Sequence, residues 1–113
     1  FHLAAQPLVR ESYINPFETW EVNVTGTINL LQSIRNLNKN CISVFITTDK
    51  VYKNNEWIYG YREIDPLGGY DPYSSSKAAA EIAINSWRSS FFDDKSQFKK
   101  GIARFLYDSL YII

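Results

Sequence analysis

Scarcity defines what this chain is not. It holds one histidine, one cysteine and no methionine. His2 stands alone, with no cysteine or carboxylate cluster at ligand spacing, so no metal centre is expected. Cys41 sits inside an apolar run and cannot found a disulfide framework; it reads as a small buried side chain in a reduced, cytoplasmic setting. Twelve lysines and arginines balance twelve acids, and the charges are scattered. That argues against a nucleic acid or a membrane surface as the main partner. No apolar run approaches the roughly 20 residues needed to span a bilayer, and no secretory signal pattern is present. The five glycines fit neither G-x-G-x-x-G nor G-x-x-G-x-x-G, so the turn that cradles a dinucleotide pyrophosphate is absent from these residues. No internal repeat or low-complexity segment is visible.

What is present suffices for one core. Apolar residues make up 45% of the 113 positions and aromatics 16%, near the usual size of a single domain. "FHLAAQ" at the start reads as the tail of a strand, and "FLYDSLYII" at the end has no stop chemistry, so a piece of something longer is expected. Asn15-Pro16 is a helix opener. After it Trp20, Val24, Ile28, Leu31 and Ile34 recur at helical spacing, predicting an amphipathic helix over about 17–37. "CISVFIT" predicts a strand buried on both faces. Residues 50–71 form a polar, aromatic loop of unusual length, which favours a functional loop. Asp71-Pro72 repeats the cap-plus-proline opener and predicts a second helix over about 72–92. "KSQFKK" reads as a solvated connector and "GIARFLY" as a third strand. The alternation predicts an α/β fold with a parallel sheet, whose ligands sit at the carboxyl ends of the strands. Residues 3–7 and 47–52 fall there.

Tyr73 and Lys77 lie four apart on the second helix, so their side chains share a face. An ammonium beside a phenol favours the phenolate and so makes a better general base. By itself the pair is a weak signal, equally read as a packed tyrosine and a solvated lysine. The strand that ends in Thr47-Thr48 and continues into Asp49 and Lys50 strengthens it, because hydroxyl, tyrosine and lysine together suit nicotinamide-dependent sugar chemistry.

In order and spacing, "FHLAAQ", "NVTGTINLL", "TTDKVY" and "YSSSK" resemble the middle third of the extended short-chain dehydrogenase/reductases, the NAD-dependent epimerase/dehydratase family. Within it, "TTDKVYKNNEWIYGYREIDPLGGYDPYSSSKAAAE" is similar to the CDP-glucose 4,6-dehydratases, whose strand-end pair is Asp-Lys where the dTDP-glucose and GDP-mannose dehydratases have Asp-Glu. The resemblance implies a partial Rossmann-like sheet, with residues 1–104 as the central part of an NAD-binding domain and 105–113 as a divergent apolar tail. It implies NAD as internal hydride carrier, with NADP not distinguished, and CDP-glucose converted to CDP-4-keto-6-deoxyglucose plus water. Tyr73 would take the proton from the carbon-4 hydroxyl, Lys77 would assist it and hold the nicotinamide ribose, and Thr48 would bind the same hydroxyl. Asp49 would protonate the departing carbon-6 hydroxyl, and Lys50 would stand where relatives keep the carbon-5 base. Ala4, Ala5, Gln6 and Thr47 would line the cofactor with Tyr73 and Lys77. A lysine is a poor base at neutral pH unless burial or positive charge weakens its hold on the proton, so Lys50 needs such surroundings.

The remaining residues have plainer readings. Asn23 stands where the superfamily often has a structural or proton-relaying Asn, and structure is the reading favoured. Trp57, Tyr59, Tyr61 and Tyr70 either pack the loop down or line a nucleotide-sugar pocket. "REID" reads as a solvated charge pattern. The family resemblance stops abruptly after Arg104, as a frameshift or a truncated gene model would make it, and this chain by itself is expected to be inactive. The alternatives are a fragment of another nucleotide-sugar 4-epimerase or dehydratase, and a non-catalytic remnant serving as a binding or dimerisation module. A family-type homodimer would form through the two helices.

Overall fold

A computed structural model of the chain describes residues 1–92 and 99–107. The connector through residue 98 and the tail from 108 lie outside the described residues. Strand β1, Cys41–Thr48, pairs in parallel with β2, Lys100–Tyr107, in a register running from Cys41 opposite Lys100 to Thr48 opposite Tyr107. Residues 105–107 therefore continue β2. On the other edge of β1, His2 forms a parallel bridge to Phe45. Its N–H donates to the Val44 carbonyl at 2.8 Å, and its carbonyl accepts from Ile46 N–H at 3.1 Å. The expected strand tail is thus present, and β1 lies between two parallel neighbours.

The expectation of a strand buried on both faces is corrected. Ser43, Phe45 and Thr47 are buried, whereas Ile42 is 85% exposed. The cause is one-sided cover: Phe45 packs in one cluster with Leu31 and Ile34 from helix α3, Gly26–Asn36, and with Ala83 and Ile84 from helix α4, Pro72–Phe91. Alternation along a strand then leaves the other face only partly covered, with Val44 and Ile46 half-buried.

The first helical stretch also differs from its forecast. Residues 9–36 form α1, Val9–Ile14, then α2, Pro16–Trp20, a π turn over Glu21–Thr25, and α3. Pro16 takes the first turn of α2 as expected, but Asn15 makes no side-chain cap; its amide donates instead to Glu11 Oε1 at 2.5 Å. Each π turn holds one more residue than an α turn, so the inward face slips by one position. The buried residues are Thr19, Asn23, Thr27, Leu31 and Ile34, while Trp20 is 42% exposed. The predicted stripe of Trp20 and Val24 is therefore displaced by a stripe of polar residues through the first half.

Helix α4 forms where its sequence says it should. Asp71 caps it, accepting from Ser74 N–H at 2.9 Å and from the Ser74 hydroxyl at 2.6 Å, with Pro72 behind it in the first turn. The long loop before it is ordered by a return path rather than by secondary structure. After a 3-10 turn over Asp49–Val51, Tyr52 bridges antiparallel to Leu67. Lys53 N–H donates to Pro66 O at 2.9 Å and Gly68 N–H to Val51 O at 2.8 Å. Val51, Tyr52 and Ala78 bury together, with Tyr61 and Leu67 against them, so the loop has its own small core on α4.

Gly69 is where the loop presses on that helix. A β-carbon there would lie 2.0 Å from Ser75 N and 2.4 Å from Ser74 C, both backbone atoms. Backbone cannot rotate away as a side chain can, so the loop itself must lift. Gly69→Ala is expected to lower stability by about 1–3 kcal/mol, the usual cost of overpacking. Urea unfolding measures it, and an unchanged midpoint would mean that the loop is not seated as described.

Candidate active site

Two structural devices bring distant residues to the carboxyl end of β1. The first is Asn23, buried in the π turn. Its Oδ1 accepts from Gln6 N–H at 2.8 Å, and its Nδ2 donates to Gln6 O at 3.2 Å and to Ser76 Oγ at 2.9 Å. Ser76 Oγ in turn donates to the Tyr73 carbonyl at 2.7 Å. One amide thus joins the 4–6 segment to the first turn of α4. The favoured structural reading of Asn23 agrees with this geometry. The Gln6 side chain is also engaged, donating to Thr19 Oγ1 at 2.7 Å and accepting from Leu8 N–H at 2.5 Å. Ala4 is exposed and Ala5 half-buried beside it.

The second device is the docking of α4 on β1. Tyr73, Lys77 and Thr48 are all buried there. Thr48 Oγ1 accepts from Lys50 N–H at 3.4 Å and donates to Asp49 Oδ1 at 3.1 Å, so the strand-end hydroxyl fixes the first turn of the loop. Lys50 Nζ lies 5.9 Å from the centroid of the Tyr73 ring. The sequence-predicted group of Thr48, Asp49, Lys50, Tyr73 and Lys77 therefore gathers in one place, drawn from two elements.

Its electrostatics depart from the expectation. Burial raises the Tyr73 phenol above its ordinary pKa; the Thr48 hydroxyl beside it opposes this, and the Asp49 and Asp71 charges add to the rise. Lys77 was expected to pull it down. Instead burial lowers the pKa of Lys77 itself, because a desolvated ammonium is disfavoured. No hydrogen bond or ion pair to Lys77 is found among the described residues, so its donors are free for a ligand. Lys50 is exposed and so lacks the burial that a lysine base requires. His2 is also held below its usual pKa, by burial and then by Lys77.

A cavity of about 620 Å³ opens beside this group. Asp49, Lys50, Lys53, Tyr52, Tyr61 and Tyr70 are among its walls. The size suits a small organic ligand. The loop aromatics divide between the two readings. Tyr61 stacks on Tyr52 with centroids 5.4 Å apart and planes within 9°, and Trp57 leans on Tyr61 at 5.8 Å. Tyr61 and Tyr70 also face the cavity, whereas Tyr59 is 73% exposed.

Two features escaped the sequence reading. "REID" is not simply solvated: Asp65 is buried, and accepts from Arg62 N–H at 2.7 Å and Arg62 Nη2 at 2.8 Å. The guanidinium bond holds the Asp65 carboxyl below its usual pKa. The second is Glu81, 1% exposed, which accepts from Thr47 Oγ1 and Arg104 Nη1. Its signal was available, since Tyr73, Lys77 and Glu81 repeat at four-residue steps on one helix face. Among the described residues no group of three His, Cys, Asp or Glu side chains gathers as a metal site would require. No helix among them is long and apolar enough to cross a membrane.

Known proteins share this arrangement. The family described as GDP-mannose 4,6 dehydratase matches residues 1–92. The chain is 49% identical over 102 residues to a CDP-glucose 4,6-dehydratase of Salmonella typhimurium, covering 90% of this chain and 28% of that protein. It is 40% identical over 96 residues to a CDP-paratose 2-epimerase of Salmonella typhi, covering 72% of this chain and 28% of that one. A solved dTDP-glucose 4,6-dehydratase from Streptomyces venezuelae, with NAD bound, superposes with a TM-score of 0.74 at 27% identity, over 91% of this chain and 30% of its own. The chain thus spans less than a third of the length of these relatives.

Burial of Lys77 has a pH signature. Below its folded pKa the native state holds a desolvated ammonium, so the residue costs stability there. That cost fades as pH rises through the folded value toward the ordinary 10.5. Lys77→Met is expected to melt higher than the parent at pH 7, with the gap shrinking as pH approaches 10.5. An equal or lower melting point at pH 7 would mean that a partner compensates the buried charge.

Proposed function

The chain belongs to the GDP-mannose 4,6-dehydratase family, and from that premise we propose that it is part of a nucleotide-sugar 4,6-dehydratase acting on CDP-glucose with NAD as cofactor. The observation that carries the proposal is that Asp49 and Lys50 at the end of β1 line one cavity, while the Lys50 ammonium lies 5.9 Å from the ring of Tyr73, which stands behind that wall with Thr48 and Lys77. An oxidation at carbon 4 needs a base at the hydroxyl. An elimination across carbons 5 and 6 needs an acid and a base of its own.

The residues present fit the nicotinamide half of the cofactor, since Lys77 is a largely buried lysine with no hydrogen-bond partner among the described residues, on the same helix as Tyr73. Tyr73, Lys77, Thr47 and the Ala4–Gln6 segment would hold it. When bound, the nicotinamide would supply a reversible hydride acceptor for oxidation at carbon 4 and reduction at carbon 6. Tyr73 takes the carbon-4 hydroxyl proton, and Thr48 orients that hydroxyl. The phenol is raised by burial and by two carboxylates, so it gives up its proton only when positive charge arrives next to it. Asp49 delivers a proton to the leaving carbon-6 hydroxyl, and Lys50 removes the carbon-5 proton once a ligand covers its exposed ammonium. Chemistry on a soluble nucleotide sugar belongs in the cytoplasm.

The 49% match to a CDP-glucose 4,6-dehydratase supports that substrate over others. A 35% match over 88 residues to a UDP-glucose 4-epimerase of Mycoplasma genitalium keeps a 4-epimerase-like reading as the alternative. A homodimer through the helical side is also proposed. On the two helices expected to form it, Phe17, Trp20 and Ile82 are 80%, 42% and 59% exposed, apolar surface of the kind that a partner would cover. Phe17→Glu should then convert dimer to monomer in sedimentation velocity; a parent chain already monomeric would refute it.

The catalytic test replaces the matching 102 residues of the Salmonella typhimurium enzyme by those of this chain. The chimera should form the 4-keto sugar from CDP-glucose. Tyr73→Phe should slow it about 10²–10⁴-fold, the usual worth of a general base. Asp49→Asn and Lys50→Met should instead leave enzyme-bound NADH accumulating without loss of water. A folded chimera that epimerises but never dehydrates would overturn the proposal. The 113-residue chain alone, lacking the glycine fingerprint, should show no steady turnover.

A further inference from the structure

Glu81 stands out because its environment is costly. It is 1% exposed on α4, one turn beyond Lys77 and two beyond Tyr73. A carboxylate taken out of water loses several kcal/mol of hydration, and an apolar side chain of the same size would have held helix to sheet as well or better. What a leucine could not supply is direction. One Glu81 oxygen accepts from Thr47 Oγ1 on β1 and the other from Arg104 Nη1 on β2. Arg104 is paired across the sheet with Phe45, two residues before Thr47. The carboxylate therefore grips both strands from the helix.

The grip lies between two apolar clusters. Ala78 packs with Val51 and Tyr52 on one side, while Ala83 and Ile84 pack with Phe45, Leu31 and Ile34 on the other. Apolar contacts of this kind tolerate small slides along a helix. Two hydrogen bonds to fixed donors do not. Thr47 is joined to Thr48 by a single peptide unit, so fixing Thr47 on α4 also fixes where the backbone of Thr48 leaves the strand, and the Lys50 that follows reaches within 5.9 Å of the Tyr73 ring.

We propose that Glu81, clamped by Arg104, is a positioning residue that sets the end of β1, and Thr48 with it, against the turn of α4 that carries Tyr73. Its chemistry rests on the dehydratase reading above, but its test needs no substrate. The Tyr73 titration is followed in the 113-residue chain by NMR of ring-labelled tyrosine, assigned with Tyr73→Phe. In the parent, Thr48→Ala should raise the midpoint, because the Thr48 hydroxyl favours the phenolate.

Glu81→Gln keeps the shape and both hydrogen-bonding positions, so the Thr48→Ala shift should survive in it. The apolar pair Glu81→Met with Arg104→Met should fold with a melting point no lower than the parent, yet lose the shift. Should that double variant fail to fold, Thr47→Val removes only the strand side of the clamp at constant shape, and it too should lose the shift. A folded Glu81→Met/Arg104→Met or Thr47→Val chain that keeps the full shift would overturn the proposal, as would its loss in a folded Glu81→Gln. A chimera that makes no keto sugar while the shift behaves as described would sink the dehydratase reading and leave the role of Glu81 standing.

Discussion

A buried amide with four hydrogen-bonding positions must find partners, and in this chain Asn23 finds them on two segments far apart in sequence. Its bonds to Gln6 N–H and O satisfy a backbone that has left the sheet, and its bond to Ser76 reaches the helix of Tyr73. Leaving any of these groups dry and unpaired would cost about 1–3 kcal/mol. Asn23 lies inside the π turn, four residues after Thr19, and both are buried on the side that meets Gln6.

The same accounting of buried polar groups explains the charges. Tyr73 and Lys77 are buried side by side in sequence space and in the helix, yet burial disfavours the charged form of each. The chain alone therefore keeps the phenol protonated and weakens the ammonium. Asp49 and Asp71 push the phenol in the same direction. Under the proposed function, positive charge brought by a cofactor would be what favours the phenolate. The expectation that Lys77 by itself prepares Tyr73 overlooked that a desolvated ammonium has less reason to be charged.

Local chemistry made much of this legible in the sequence. Asp71-Pro72 marked the start of α4 because a capping carboxylate and a proline act within one turn. The β-branched run marked β1, and "GIARFLY" marked β2. The Thr48 to Lys50 stretch and Tyr73-Lys77 converge as their positions at a strand end and on one helix face implied. What was not legible depends on partners distant in sequence. Nothing near Trp20 announces a π turn, and the partners of the Asn23 inside it are Gln6 and Ser76. Asp65 looked solvated because its partner is the backbone and guanidinium of Arg62 in a turn that exists only once the loop folds back on Tyr52. Glu81 went unnoticed although it continues the four-residue spacing of Tyr73 and Lys77, because the Arg104 that holds it lies 23 residues away on another element.

Lys50 shows what a ligand would have to do. Its ammonium is exposed, and sits 5.9 Å from the centre of the Tyr73 ring. Desolvation lowers an ammonium's hold on its proton, so the base role proposed for Lys50 calls for a ligand that covers it. The cavity that Lys50 lines is walled by the folded-back loop. By stacking Tyr61 on Tyr52 and tethering its hydroxyl to Asn54 and Asn55, the loop fixes that wall opposite the strand end, so that loop and strand end would have to act on one ligand together.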